Sequence, residues 1–341
     1  MSHTDVRLDT SVDLPVERDA LIGSAGRPER RQRGERLMVA KAEFRSYYGQ
    51  PVLKAPPWEA ADIAGYLFFG GLAGASSTLA AAAELTGRPH LARGLKAGAA
   101  VALTGSLYSL VHDLGRPERF LHMLRVVKVT SPMNIGSWLL AGYGPLAMLA
   151  AGSAVTGWLP RLGRLGTLGA GVLGPAVASY TATLVSDTAM PVWHEAYREL
   201  PVLFVGSAAA SAGALGLLVA PESEAGPARR AALLGAVTEL ATASRMERRL
   251  GMVAEPLRQG LGGALLRTSR LLVAGGALAL TIPVRSRVAT RVGAAAMLAG
   301  SICLRFGIFQ AGLASARDPK YTVTPQRKRL EARTGRRRRR P

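Results

Sequence analysis

Between residues 60 and 314 the chain repeats one pattern, an apolar window of roughly twenty residues followed by a short polar connection. A helix of about that length spans the ~30 Å hydrocarbon core of a bilayer, and few soluble folds call for so many in succession. The windows fall near 60–83, 91–113, 135–157, 164–187, 200–220, 228–244, 262–283 and 288–314. They predict an all-α integral membrane protein with eight transmembrane helices in two four-helix halves. The sixth window is short and is interrupted by Glu239.

Composition agrees with that reading. The chain is 48% hydrophobic but only 6% aromatic, and its 39 Gly and abundant Ala are what helices need to approach closely in lipid. A net charge of +20 would suit nucleic acid, yet the basic residues lie outside the apolar windows rather than among them. They are better read as topology signals. With eight spans and both termini cytoplasmic, most of the 43 Lys and Arg fall on the inner side; removing the sixth span would send the Arg336–Arg340 run outside. Trp58, Trp138, Trp158 and Trp193 all lie near expected span ends, where interface anchors belong.

The boundaries follow. Residues 1–36 read as a disordered cytoplasmic tail without a secretory signal, and 37–58 as an ordered segment carrying Phe44, Tyr47 and Tyr48. Residues 59–220 hold the first five spans, 221–316 the last three, and 317–341 a basic cytoplasmic tail suited to anionic headgroups. Cys303 is the single cysteine, which excludes disulfides and cysteine-ligated clusters within the chain. Of five His only His112 falls within a helix, so paired-histidine haem ligation is not expected, nor any bound metal.

Titratable groups inside lipid are costly and usually serve a cavity or a pathway. Here Asp62 opens the first span, His112 and Asp113 close the second, Asp187 closes the fourth, and Glu239 sits late in the sixth. With alternating direction all are expected towards the cytoplasmic side. Helical spacing adds Tyr66 to Asp62, Tyr108 to His112, and Tyr180 to Asp187, while Asn134 enters from the start of the third span. Phenols, carboxylates and an imidazole at one depth suit a ring with two carbonyls, whose reduction needs hydrogen-bond donors and protons. His112, Asp62 and Asp187 are the candidates for proton exchange, and Tyr66, Tyr108, Asn134 and Tyr180 for holding the ring. Plain alternatives stand beside these roles: the tyrosines as packing, Asp62 and Asp187 as helix caps or partners of loop arginines. For Glu239, an ion pair with Arg305 of the last span stands level with a proton path through both residues.

The connection after the second span is unusually rich. It reads LGRPERFLHMLR (114–125) and then SPMNIGSW (131–138), which resembles the signature of the NrfD-like membrane subunits of polysulfide-reductase-type complexes. The segments AEFRSYYGQPVLKAPPW (42–58) and YLFFGGLAG (66–74) are similar to actinobacterial members, and the resemblance extends over roughly residues 40–320. It implies a quinone-reactive anchor of the cytoplasmic membrane that carries no redox metal. Such a subunit exchanges electrons between menaquinone or ubiquinone and a docked four-cluster iron–sulfur subunit, which serves a molybdopterin catalytic subunit of formate dehydrogenase or polysulfide reductase type. Loop 114–133 would be the docking surface, with Arg116, Arg119, Arg125 and Lys128 as its contacts. A secondary transporter or a purely structural anchor are the competing readings; the first would put its site at the midplane of repeated halves.

Overall fold

The computed structural model describes residues 58–114, 117–281 and 286–338, together with Leu53, Lys54, Pro56 and two short strands; Pro117, Arg119 and residues 331–338 are described in backbone only. The chain divides into two units, Met1–Val52 and Leu53–Pro341. In the first, β1 (Val16–Glu17) pairs antiparallel with β2 (Glu43–Phe44), Val16 opposite Phe44. The rest of the expected 1–36 tail, and most of the segment 37–58, lie outside the described residues.

The second unit is helical: α1 (Ala60–Leu85), α2 (Pro89–His112), α3 (Pro132–Thr156), α4 (Pro160–Ser186), α5 (Pro191–Glu195), α6 (Leu200–Val219), α7 (Gly226–Leu250), α8 (Gly260–Thr281), α9 (Arg287–Arg317) and α10 (Lys320–Arg338). Among the described residues, seven helices are long and apolar enough to cross a membrane, namely α1, α2, α3, α4, α6, α8 and α9. The sixth expected span, α7, has the length at 25 residues but not the composition, because Arg229 and Arg230 open it and Arg245 to Arg249 close it. It is nevertheless a bundle helix, antiparallel to α6 at backbone contact. A Cβ on Gly213 would collide with the backbone of Ala232, and one on Gly235 with that of Ala210. Its far side turns Leu234 and Val237 outward.

Small residues set the packing throughout, as bilayer helices require. α1 is central, running along α2 and α4 and touching α6 and α9, while α3 lies on α4 and α8 on α9. The Gly70/Gly74 pair of α1 serves contact alone: Gly74 and Gly174 of α4 meet backbone to backbone, and Thr78 donates to the Gly171 carbonyl at 3.0 Å. Between α3 and α4 the chain reverses within three residues, using Gly157 at φ 76° and Leu159 at φ 53° ahead of Pro160. Left-handed backbone is easy for the glycine and unusual for the leucine.

Three features correct the sequence reading. The connection 187–199 contains α5, and its Trp193 is fully buried rather than an interface anchor. Its ring stacks on Trp58 at 6.1 Å, its Nε1 donates to the Ile308 carbonyl at 2.8 Å, and it lies over Gly312. The backbone of 320–338, expected as tail, is helical, and α10 starts on the bundle: the Tyr321 hydroxyl donates to Glu255 at 3.1 Å, and Lys320 pairs with the same carboxylate. α7 also continues past 244, which leaves Glu239 near the middle of its helix rather than towards one end.

Candidate functional site

One end of the bundle gathers the start of α1, the end of α2, the start of α3, the end of α4 and the start of α6. Contacts across it fix the arrangement. The Glu59 amide donates to Asp113 Oδ1 at 3.2 Å, the Val192 amide to Ser315 Oγ at 3.3 Å, and Arg249 grips Glu199 with two nitrogens, each at 2.6 Å. Loop 113–131 lies at this loop end. At the opposite, turn end Glu224 accepts from the Leu91 amide and pairs with His90, both at 2.8 Å.

Asp62 and His112, expected at one depth, meet. Asp62, in the first turn of α1 and almost buried, has its Oδ2 2.7 Å from His112 Nδ1 at the last turn of α2. The imidazole is half open to its surroundings, and Tyr108, one turn back, stacks on it at 5.7 Å while being 69% exposed. A carboxylate oriented on one imidazole nitrogen leaves the other nitrogen free to exchange a proton outward. Asp113 closes the group. Burial pushes its carboxyl above the usual carboxylate range, and the Glu59 amide only partly offsets this.

The remaining candidates fall elsewhere. Tyr66 and Tyr180 are buried between α1, α3 and α4, close enough to interact electrostatically, with the Tyr180 ring lying over Gly136. Asn134 faces the loop. Its Nδ2 donates to the carbonyls of Met123 at 2.8 Å and Val126 at 2.9 Å, and its Oδ1 accepts from the Lys128 amide at 2.6 Å. Both amide hydrogens are therefore spent on holding the connection, whose middle is a 3-10 helix over Pro117–Leu124. Arg125 and Lys128 are exposed on this loop; Arg116 and the side chain of Arg119 lie outside the described residues.

Asp187 stands apart from the His112 group. It is exposed in a groove of about 490 Å³ lined also by Thr183, Ser186, His194, Tyr197 and Pro201, where α4 and α5 meet the start of α6. Sequence reading missed His194 and Tyr197, because only the short helix α5 brings this connection back against α4. Deep between α6 and α9, Glu239 and Arg305 are 2% and 1% exposed. Arg305 Nη2 donates to the Phe204 carbonyl at 3.0 Å and Nε to that of Leu67 at 3.4 Å, with its guanidinium over the Phe204 ring at 3.8 Å. Among the described residues no three His, Cys, Asp or Glu are grouped as a metal site would need.

A family model described as polysulphide reductase, NrfD matches residues 54–253, from just before α1 into the turn after α7. No curated protein matches the chain. The match spans the Asp62–His112 pair, the loop, Asp187 and Glu239, and stops short of α8 and α9.

Proposed function

Because the chain belongs to the polysulphide reductase, NrfD family, whose members are membrane subunits of redox complexes, we propose that it is the quinone-reactive membrane anchor of an oxidoreductase. In this reading loop 114–133 receives an iron–sulfur subunit, which a molybdopterin subunit supplies or drains, and electrons pass between its nearest cluster and a menaquinone or ubiquinone ring below. The chain crosses the cytoplasmic membrane eight times, α7 included, with both termini and the loop end inside. The charge pattern supports this orientation. The outward Leu234 and Val237 of α7 suit a lipid-facing helix.

The observation that carries the proposal is the Asp62–His112 pair, 2.7 Å apart, with Tyr108 stacked outward on the imidazole. Reducing a quinone to a quinol takes two electrons and two protons, and oxidation returns them. The His112 imidazole is the group that can exchange a proton with a ring oxygen, while Asp62 holds its tautomer and carries the compensating charge. Tyr108 offers an aromatic ledge beside it. The buried Tyr66 and Tyr180 form the inner wall under the loop, and Asn134 acts through the loop by fixing its height over the site. Arg125 and Lys128 present positive charge to the docking partner.

A second position has support from one observation, the groove at Asp187, His194 and Tyr197. Its volume of about 490 Å³ lies in the range of small-molecule sites, and its carboxylate, imidazole and phenol repeat the chemistry of the first. Separate His112→Ala and His194→Ala variants, assayed in the purified complex with a short-chain quinone, tell the two positions apart. The proposal expects loss of turnover from the first and near-normal rates from the second; the reverse would move the ring to the groove.

A further inference from the structure

The buried polar centre between α6, α7, α8 and α9 has a use that the quinone chemistry does not explain. Glu239 accepts from Ser269 Oγ at 3.5 Å through Oε1, and its Oε2 is buried without a hydrogen-bond partner. Arg305 Nη1 is likewise buried without a partner. No ion pair within 4.0 Å joins the two side chains among the described residues, so the direct Glu239–Arg305 bond weighed from sequence is not formed. Each still feels the other's charge. Leaving a carboxylate oxygen and a guanidinium nitrogen both unbonded in a protein interior is expensive unless water or a proton fills the need.

The void beside Glu239 lies on its loop-end side. It is a cavity of about 10 Å³, roughly the space of one water, whose polar lining is Glu239, Ser269, Glu247 and Arg270 and whose remaining wall is apolar side chains of α6 to α9. Its outer rim is charged, since Glu247 is paired with both Arg270 and Arg258. Towards the turn end the α6 and α7 backbones touch at Gly213 and Gly235. The space beyond is filled by Ala210, Ala214, Ala232, Ala236, Val273 and Met297. The charged and hydroxyl-bearing groups facing Glu239 are Ser207 from α6, Ser269 and Arg270 from α8, Arg305 from α9 and Glu247 on its own helix.

We propose that Glu239 is a proton-storage site that exchanges protons with water at the loop end only, and that it is closed to the opposite face. The step is RCOO⁻ plus H₃O⁺ giving RCOOH plus H₂O. The proton enters past Glu247 and Arg270, and the Arg305 charge is compensated in the ionised form and left bare in the protonated one. Arg305 also bonds the Leu67 carbonyl of α1 and the Phe204 carbonyl of α6, so the stored proton changes the charge balance at the contact between these helices. This requires only the membrane-spanning bundle and stands whether or not His112 meets a quinone.

The test uses the unmodified full chain in proteoliposomes of known orientation, treated with the lipid-soluble probe dicyclohexylcarbodiimide, which reacts with protonated carboxyls in apolar surroundings. Peptide mass spectrometry reads the modified fraction of Glu239. Labelling is expected to fall several-fold when pH is raised on the loop side and to stay constant when it is raised on the turn side. It is expected to be absent from the same peptide of Glu239→Gln. Labelling that follows pH on the turn side, on both sides or on neither overturns the proposal.

Discussion

The loop end of α1 and α2 and the middle of α6 to α9 each hold a carboxylate beside a basic group, in opposite settings. Asp62 and His112 touch, and the imidazole and its stacked Tyr108 face outward. Glu239 and Arg305 do not touch, and both are enclosed. The first pair is open on its imidazole side and is free to work on what arrives from outside. An enclosed pair constrains the fold, and removing one member strands the other. Chemistry should therefore be sensitive at the first place and folding at the second.

The largest stability effect is expected from Arg305→Met. It removes two carbonyl contacts and leaves Glu239 without compensation, costing about 3–5 kcal/mol, read as a lower unfolding midpoint in detergent. Asp62→Asn, which keeps an oxygen to accept from His112, should change that midpoint by about 0.5–1.5 kcal/mol while lowering quinone turnover by about 10²-fold or more. Equal losses of stability at both places would erase the distinction. Trp193→Ala, which empties a fully buried site between α5 and α9, belongs with the structural group at about 3–5 kcal/mol.

Asn134→Ala sits between the two. Losing its bonds to the loop carbonyls and to the Lys128 amide is worth about 1–3 kcal/mol locally and should speed hydrogen exchange across 117–131 without unfolding the bundle. Unchanged exchange there would detach Asn134 from loop positioning. The smallest effect concerns α10. Lys320 holds the Glu255 carboxyl below its usual range, with Tyr321 adding to this, and Glu255 in turn raises Lys320. A depressed acid stabilises the docked state above its ordinary pKa and loses that contribution as pH falls through the depressed value. Proteolysis within α10 should thus accelerate only under acid conditions below the usual carboxylate range, and Glu255→Gln should abolish that dependence.

Much of the scaffold was legible because lipid leaves the chain little choice: seven windows became helices apolar enough to cross. α7 shows the limit, since its ends are charged while Gly235 and, from α6, Gly206 and Gly213 seat it in the bundle. Helical spacing correctly put Tyr108 and His112 on one face, but it says nothing about which way a face turns. Here that face points outward, and only His112 reaches across to α1. Asn134 looks identical in sequence whether it serves a ligand or ties down a loop. Trp193 sits where an interface anchor would, yet the turn through α5 folds it inside. Ser207 and Ser269 around Glu239 come from different helices, so no spacing along the chain could reveal them.

The most direct measurement is quinone-coupled electron transfer in the assembled complex carrying His112→Ala, with subunit stoichiometry checked by native mass spectrometry. A normal complex whose clusters still accept electrons but no longer exchange them with quinone is the expected result. Wild-type turnover in a complex of unchanged composition would contradict the role given to His112 and leave the chain as an anchor alone.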